Sequence, residues 1–478
     1  MRLKPWQWVM IITETMLLLG VSGALAWMLL FNPIRVTQPQ GVAQAAAPSP
    51  TLTPTDTPTP TAWPTPLPTQ TPQPTHTRVV AREKLNQEAV DQIERQVVQL
   101  RGIQPHASVP IDLITRAQMM DTVRTSYAAD QAAADREMAL YRALGLARPG
   151  NQTDQDSNLK AIASSIAGFY NAQDRRLAVV SDLENLGAGE RGTLAHEYTH
   201  ALQDQQFDLT QVQRRITTTD ARLALSSVVE GDATTVMSIY LYGSTTQSEW
   251  DYLAYRAAFS DAWAAITATN ISTRANELLG FPYLQGAQFI VKLWLDGKGW
   301  AQVNHAYADP PPSTSIVLHP ERYLTQPTLP VSIPLPDFGS TLGKEWTPTI
   351  KLDTLGEFVL SVHLDEFLND RQRAAQAANG WAGDSFSLWQ AAGDRQAFAW
   401  KIAWDTPRDT GEFVDAYTAL LRRRVGPSLT VEREEANLHW VSGSAGSGLV
   451  QKSPTGEQTL IVWGPDRTTV ARLLAVNQ

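Results

Sequence analysis

From Trp6 to Phe31 the chain is apolar almost throughout, with Glu14 its one charge, and about 20 such residues suffice for a bilayer-spanning helix. Residues 37–78 then turn to Thr, Pro, Ala and Gln, a composition that cannot bury a core and that repeated proline holds in extended, polyproline-like conformations. The segment reads as a stalk; at about 3 Å per residue it reaches on the order of 100 Å, less if it coils. Its Thr-Pro pairs also suit O-linked glycosylation. Apolar positions recur at helical intervals across residues 82–150, first at Val90, Ile93, Val97, Val98 and Leu100, later at Met119, Met120 and Val123. The segment 168–180 reads as a strand, a turn and a second strand. Leu194, Tyr198, Ala201, Leu202 and Gln205 form a stripe on the next helix. A second helical stretch contains Ser226 to Thr234, with Asp220 as its expected cap. Phe281 to Gly286 leads into an apolar helical run, Phe289 to Leu295, that stops at Gly297. Asp309 to Pro336 is a Pro-rich connection.

Beyond about Trp346 the texture changes. A helix is expected from Leu355 to Ala378, then a hairpin built from Ser385–Gln390 and Ala397–Trp404 that turns at Gly393-Asp394. A helix at Thr410 to Arg424 precedes short strands near Ser428–Arg433, His439–Ser442, Gly448–Lys452 and Thr459–Trp463, and a last helix runs to Val476. The tryptophans at 381, 389, 400, 404, 440 and 463 read as core and hairpin packing. The fold class expected is α+β, in four parts: a membrane segment at 1–36, the stalk at 37–78, a mainly helical domain with a small sheet at 79–336, and an α+β module at 337–478.

Charge sets the orientation. Arg2, Lys4 and the amino terminus precede the apolar run and only Arg35 closely follows it, so the N-terminus is expected in the cytoplasm and the remainder outside. Ala24-Leu25-Ala26 resembles a signal-peptide cleavage site, but the apolar run continues to Phe31, which favours an uncleaved anchor. The formal net charge of −9, without a basic stripe, argues against a nucleic-acid partner. With no cysteine, the chain has neither disulfide nor thiol switch.

The candidate chemistry is concentrated in His196-Glu197-Tyr198-Thr199-His200. On a helix, H-E-x-x-H puts two imidazoles one turn apart on one face, where both can reach a single metal ion. A catalytic zinc takes three protein ligands and leaves one position open. Glu230, in Val228-Val229-Glu230-Gly231-Asp232, is the expected third ligand, with Ser226, Ala233 and Thr234 as small neighbours on its face. Asp232, Asp204 and Asp208 are the competing carboxylates; they fit better as partners that hold an imidazole in its metal-binding tautomer.

H-E-x-x-H followed by a helical Glu some thirty residues on resembles the gluzincin zinc metallopeptidases over residues 160–330. The resemblance implies a zincin-like fold, a Zn2+ cofactor, a peptide or protein substrate, and Glu197 as the general base that takes a proton from a zinc-activated water. The 168–180 hairpin corresponds to the edge strand that aligns substrate in that family, or is an ordinary hairpin. Pro282-Tyr283-Leu284-Gln285-Gly286 is similar to the P-Y-x-x-G segment of zinc aminopeptidases, which implies Tyr283 as an oxyanion donor. His319 is a second candidate for that role. No G-x-M-E-N stretch precedes the pentad, so an endopeptidase is expected rather than an aminopeptidase. The alternative is a stalked binding or scaffold protein on a metallopeptidase fold; retention of Glu197 speaks for catalysis.

Overall fold

The computed structural model describes residues 76–129, 131–147, 163, 166–181, 186–242, 274–296, 298–325 and 328–475. The expected membrane helix and the stalk up to residue 75 lie outside the described residues, and no described helix is long and apolar enough to cross a membrane. The elements run α1 (His76–Arg101), β1 (Ile111–Ile114), α2 (Arg116–Ala129), α3 (Gln131–Ala143), β2 (Gly168–Asn171), β3 (Arg176–Val180), α4 (Ala188–Phe207), α5 (Leu209–Arg214) and α6 (Thr219–Tyr242). They continue with α7 (Ala275–Asp296), α8 (Trp300–Ala308), α9 (Thr314–Leu318), α10 (Pro320–Thr325), α11 (Gly339–Leu342), β4 (Thr347–Asp353), α12 (Gly356–Leu368), α13 (Arg371–Ala378), β5 (Trp381–Ala391) and β6 (Arg395–Trp404). The last are α14 (Pro407–Arg424), β7 (Thr430–Glu435), β8 (Leu438–Gly443), β9 (Gly446–Lys452), β10 (Gln458–Gly464) and α15 (Arg467–Ala475).

The central helix is α6. It is buried on every face from Leu223 to Ser238, as an apolar run flanked by small polar residues must be when it forms the inside of a helical layer. Helix α4 packs on one side of it and α7 on another. Gly231 of α6 meets Gly286 of α7 backbone to backbone: a Cβ on Gly231 would stand 2.2 Å from the Gly286 carbonyl carbon, and one on Gly286 would stand 2.4 Å from the Ser227 oxygen. Only glycine at both positions permits this approach. Helix α4 also lies on a small sheet of order β1-β3-β2, with β1 parallel and β2 antiparallel to β3. Among the described residues, strand β2 is therefore an edge.

The second sheet is antiparallel, in the order β4-β5-β6-β10-β9-β8-β7. The β5–β6 hairpin turns at Gly393 (φ +75) and Asp394 (φ +56), the two left-handed residues a tight primed turn requires. The largest apolar cluster extends from Ala139 through α6, α7 and α12 to Trp463 and so spans the boundary expected at 336/337, while two smaller clusters, from Val90 to Val236 and from Phe338 to Leu474, lie on either side of it. The end of α3 is fastened to the C-terminal part: the Ala139 carbonyl accepts from Gln396 Nε2 at 2.9 Å, the Ala143 carbonyl accepts from Arg424, and the Leu144 carbonyl accepts from His363 Nδ1 at 2.7 Å.

Several expectations are corrected. Asp220 does not cap α6; the Thr218 hydroxyl accepts from Ala221 N at 3.2 Å and Asp353 accepts from Thr219 N at 2.8 Å, while Asp220 is buried and takes both the amide and the hydroxyl of Thr314. The helix expected over 355–378 is broken at Asn369, whose φ of +50 ends α12, and Asp370 caps α13. The Pro-rich connection holds short helices, the first begun by Ser313, whose side chain accepts from Ile316 N. Strands β1 and β4 were not foreseen, being only four and seven residues long. Gln205 does not join the apolar stripe of α4; its amide binds the loop at His106 and Ala107.

Candidate metal centre

Helix α4 carries the pentad and α6 carries Glu230, and their packing brings three donor atoms together. His196 Nε2 lies 3.2 Å from Glu230 Oε2, His200 Nε2 lies 3.3 Å from the same oxygen, and the two Nε2 atoms are 3.1 Å apart. His196, His200 and Glu230 form the cluster suited to a metal ion among the described residues. An ion with ligands at about 2.0–2.1 Å in a tetrahedron needs those ligands about 3.3 Å from one another. The triangle has that size. The donor set makes the same point chemically, since two imidazole nitrogens and a carboxylate oxygen at this spacing, 2–3% exposed, direct lone pairs at one point that calls for a cation or a proton.

Glu197 is on the same helix turn and equally buried at 2%. Burial raises its pKa, against the opposing pull of His196 and His200, and the Glu230 charge adds to the rise. The Tyr170 backbone N–H of β2 acts the other way, lowering it slightly. Strand β2 comes this close because Gly168 has no side chain: a Cβ there would stand 2.7 Å from Thr193 Cγ2 and 3.3 Å from Glu197 Cγ. For Glu230, burial favours the neutral acid, but the facing imidazoles prevail and hold its pKa down at about 2. Burial of His200 disfavours its cation, yet Glu230 and then Glu197 raise its pKa to about 9.

Tyr283 is beside the triangle, its ring stacked on His196 with centroids 6.1 Å apart. The sequence suggested that the P-Y-x-x-G segment precedes a helix. It lies inside α7, with Pro282 in the helix interior and Gly286 at the crossing with α6. The Tyr283 hydroxyl is buried and makes no full hydrogen bond among the described residues; burial, then the charges of Glu230 and Glu197, keep its pKa well above the ordinary phenol range. His319 is directed elsewhere. It pairs with Glu357 at 3.2 Å, at the start of α12, and none of its described contacts reaches the triangle.

The competing carboxylates are all otherwise engaged. Asp204 accepts from the Tyr170 hydroxyl at 3.0 Å, and Asp208 caps α5 by accepting from Gln211 N. Asp232 is fully buried against Arg101 and Tyr307. The group that contacts an imidazole directly is Gln203, whose Oε1 is 2.9 Å from His200 Nδ1. Its position three residues after His200, on the same helix face, was the available signal.

A family described as a domain of unknown function (DUF8575) matches residues 347–474, from the start of β4 into α15. That stretch excludes the triangle. No curated protein and no solved structure matches the chain.

Proposed function

We propose that this chain is a zinc-dependent peptidase, most simply an endopeptidase, that His196, His200 and Glu230 hold the ion, and that Glu197 is the general base. The observation carrying this reading is the triangle of 3.1, 3.2 and 3.3 Å edges with a second buried carboxylate on the same helix turn. When bound, zinc would supply a Lewis acid and acidify a water. Glu197, its pKa raised by burial, takes a proton from the attacking water and returns it to the departing amine. Tyr283, whose ring stacks on His196, would donate a hydrogen bond to the oxyanion that develops. Strand β2, an edge strand among the described residues whose Gly168 lies against Glu197, offers main-chain groups along which an extended peptide could pair. With the apolar N-terminal run as an anchor, the reaction takes place outside the cytoplasmic membrane.

The test is metal analysis together with casein or peptide-library cleavage by the full-length chain, comparing wild type with Glu197→Gln. Both should bind about one zinc each while only wild type cuts. Equal cleavage by the two would remove Glu197 as base.

A further inference from the structure

Gln203 ties the triangle to the end of α1 through Asp232. Its Nε2 donates to the Val229 carbonyl at 3.1 Å and to Asp232 Oδ2 at 3.2 Å, so both amide hydrogens face acceptors. A flipped amide would turn its oxygen toward a carbonyl and a carboxylate. Oε1 must therefore be the atom facing His200 Nδ1 at 2.9 Å, which makes Nδ1 the protonated nitrogen and leaves the Nε2 lone pair for the triangle. His196 Nδ1 has no such partner among the described residues.

Behind Gln203, Asp232 is held by Arg101 Nε at 2.7 and 2.9 Å and by the Tyr307 hydroxyl at 2.8 Å. Arg101 is the last residue of α1, fully buried although it is an arginine. Its Nη2 donates to Asn304 Oδ1 at 2.7 Å, its guanidinium lies 4.5 Å over the Trp300 ring, and Trp300 Nε1 donates to the Leu100 carbonyl at 2.9 Å. A charged pair without solvent is held in one geometry by its hydrogen bonds, and here Arg101 Nη1 is the guanidinium nitrogen without a partner among the described residues.

We infer that Gln203, Asp232 and Arg101 form a positioning relay that fixes the tautomer and orientation of His200, so that the end of α1 is a determinant of metal affinity. The inference rests on the reading that the triangle holds zinc. It differs from a mere anchoring of α1 in one measurable respect: members of a relay act on the ion through one another, so their losses do not add.

The experiment is zinc competition against a chelator with the full-length chain, for wild type, Gln203→Met, Arg101→Met and the double variant. Gln203→Met should weaken zinc about tenfold to a hundredfold, Arg101→Met similarly, and the double variant no more than the worse single. Wild-type affinity in Gln203→Met, or losses that multiply in the double variant, would overturn the relay. If Arg101→Met does not fold, Asp232→Asn takes its place in the cycle, and Gln203→Met alone decides the matter if neither folds. Glu230→Ala is the separate control: wild-type zinc affinity in that variant, or no zinc on wild type, would overturn the metal site and this inference with it.

Discussion

Gly231 and Gly286 touch through their backbones where α6 crosses α7, and that contact places Tyr283 against His196 while Glu230 faces both imidazoles. A methyl group on either glycine must push the helices apart, at a cost of about 1–3 kcal/mol for overpacking. Gly231→Ala is therefore expected to lower the unfolding free energy in urea by that amount and to weaken zinc binding. Unchanged stability would show that the crossing can relax.

Tyr283 and His319 were both candidates for stabilising the oxyanion, and the structure separates them. Tyr283→Phe should retain zinc and lower kcat about 10²- to 10³-fold with little change in KM, the signature of a hydrogen bond made in the transition state. His319→Ala should leave cleavage within about twofold of wild type, because its described partner is Glu357. Steady-state kinetics on one peptide substrate checks both.

His363 links acid stability to the junction between the two halves. Burial, with the Arg424 charge, depresses its pKa to about 3, against the bond to the Leu144 carbonyl. The unfolded chain takes up a proton near the ordinary value of about 6.5 that the folded chain refuses, so the contribution is complete above pH 6.5 and is lost as pH falls toward 3. Urea unfolding across that window should show stability falling with acid, with a shallower slope in His363→Phe.

Asp220 has the opposite sign. Burial raises its pKa to about 8, against two hydrogen bonds from Thr314, with the charges of Asp384 and Glu357 adding to the rise. Its contribution is whole below about pH 4 and is lost as pH rises through 8, at a slope of about 1.4 kcal/mol per pH unit for one proton. Asp220→Asn should cost little at pH 6 and exceed wild type in stability at pH 9. Gly356→Ala should be destabilising at any pH, since φ is +87 there and a Cβ would meet Asp220 Oδ1.

What the sequence disclosed of the site was what local periodicity can encode. His196, Glu197 and His200 are placed by one helix, and Glu230 by the next, so the spacing alone was informative. Gln203 is equally local, but its role depends on which way its amide turns, and Asp232 at the other end of that bond sets this. Arg101 reaches Asp232 across 131 residues of chain and left no pattern to read. The Phe281–Gly286 segment is expected to precede the helix, yet the packing of α7 on α6 carries the helix through Pro282. Strand β1 was lost among helical periodicities because its four residues pair only with β3, 66 positions away at Ile111 and Leu177.

The interior that runs unbroken from Ala139 to Trp463 also bears on how the protein comes apart. Severing the chain near residue 336 would strip the apolar face of α12 from α6 and α7 and divide the largest cluster between the fragments. Heat should accordingly melt the part that carries His196, His200 and Glu230 and the part at residues 347–474 in one cooperative step, and a protease should find no stable intermediate between them.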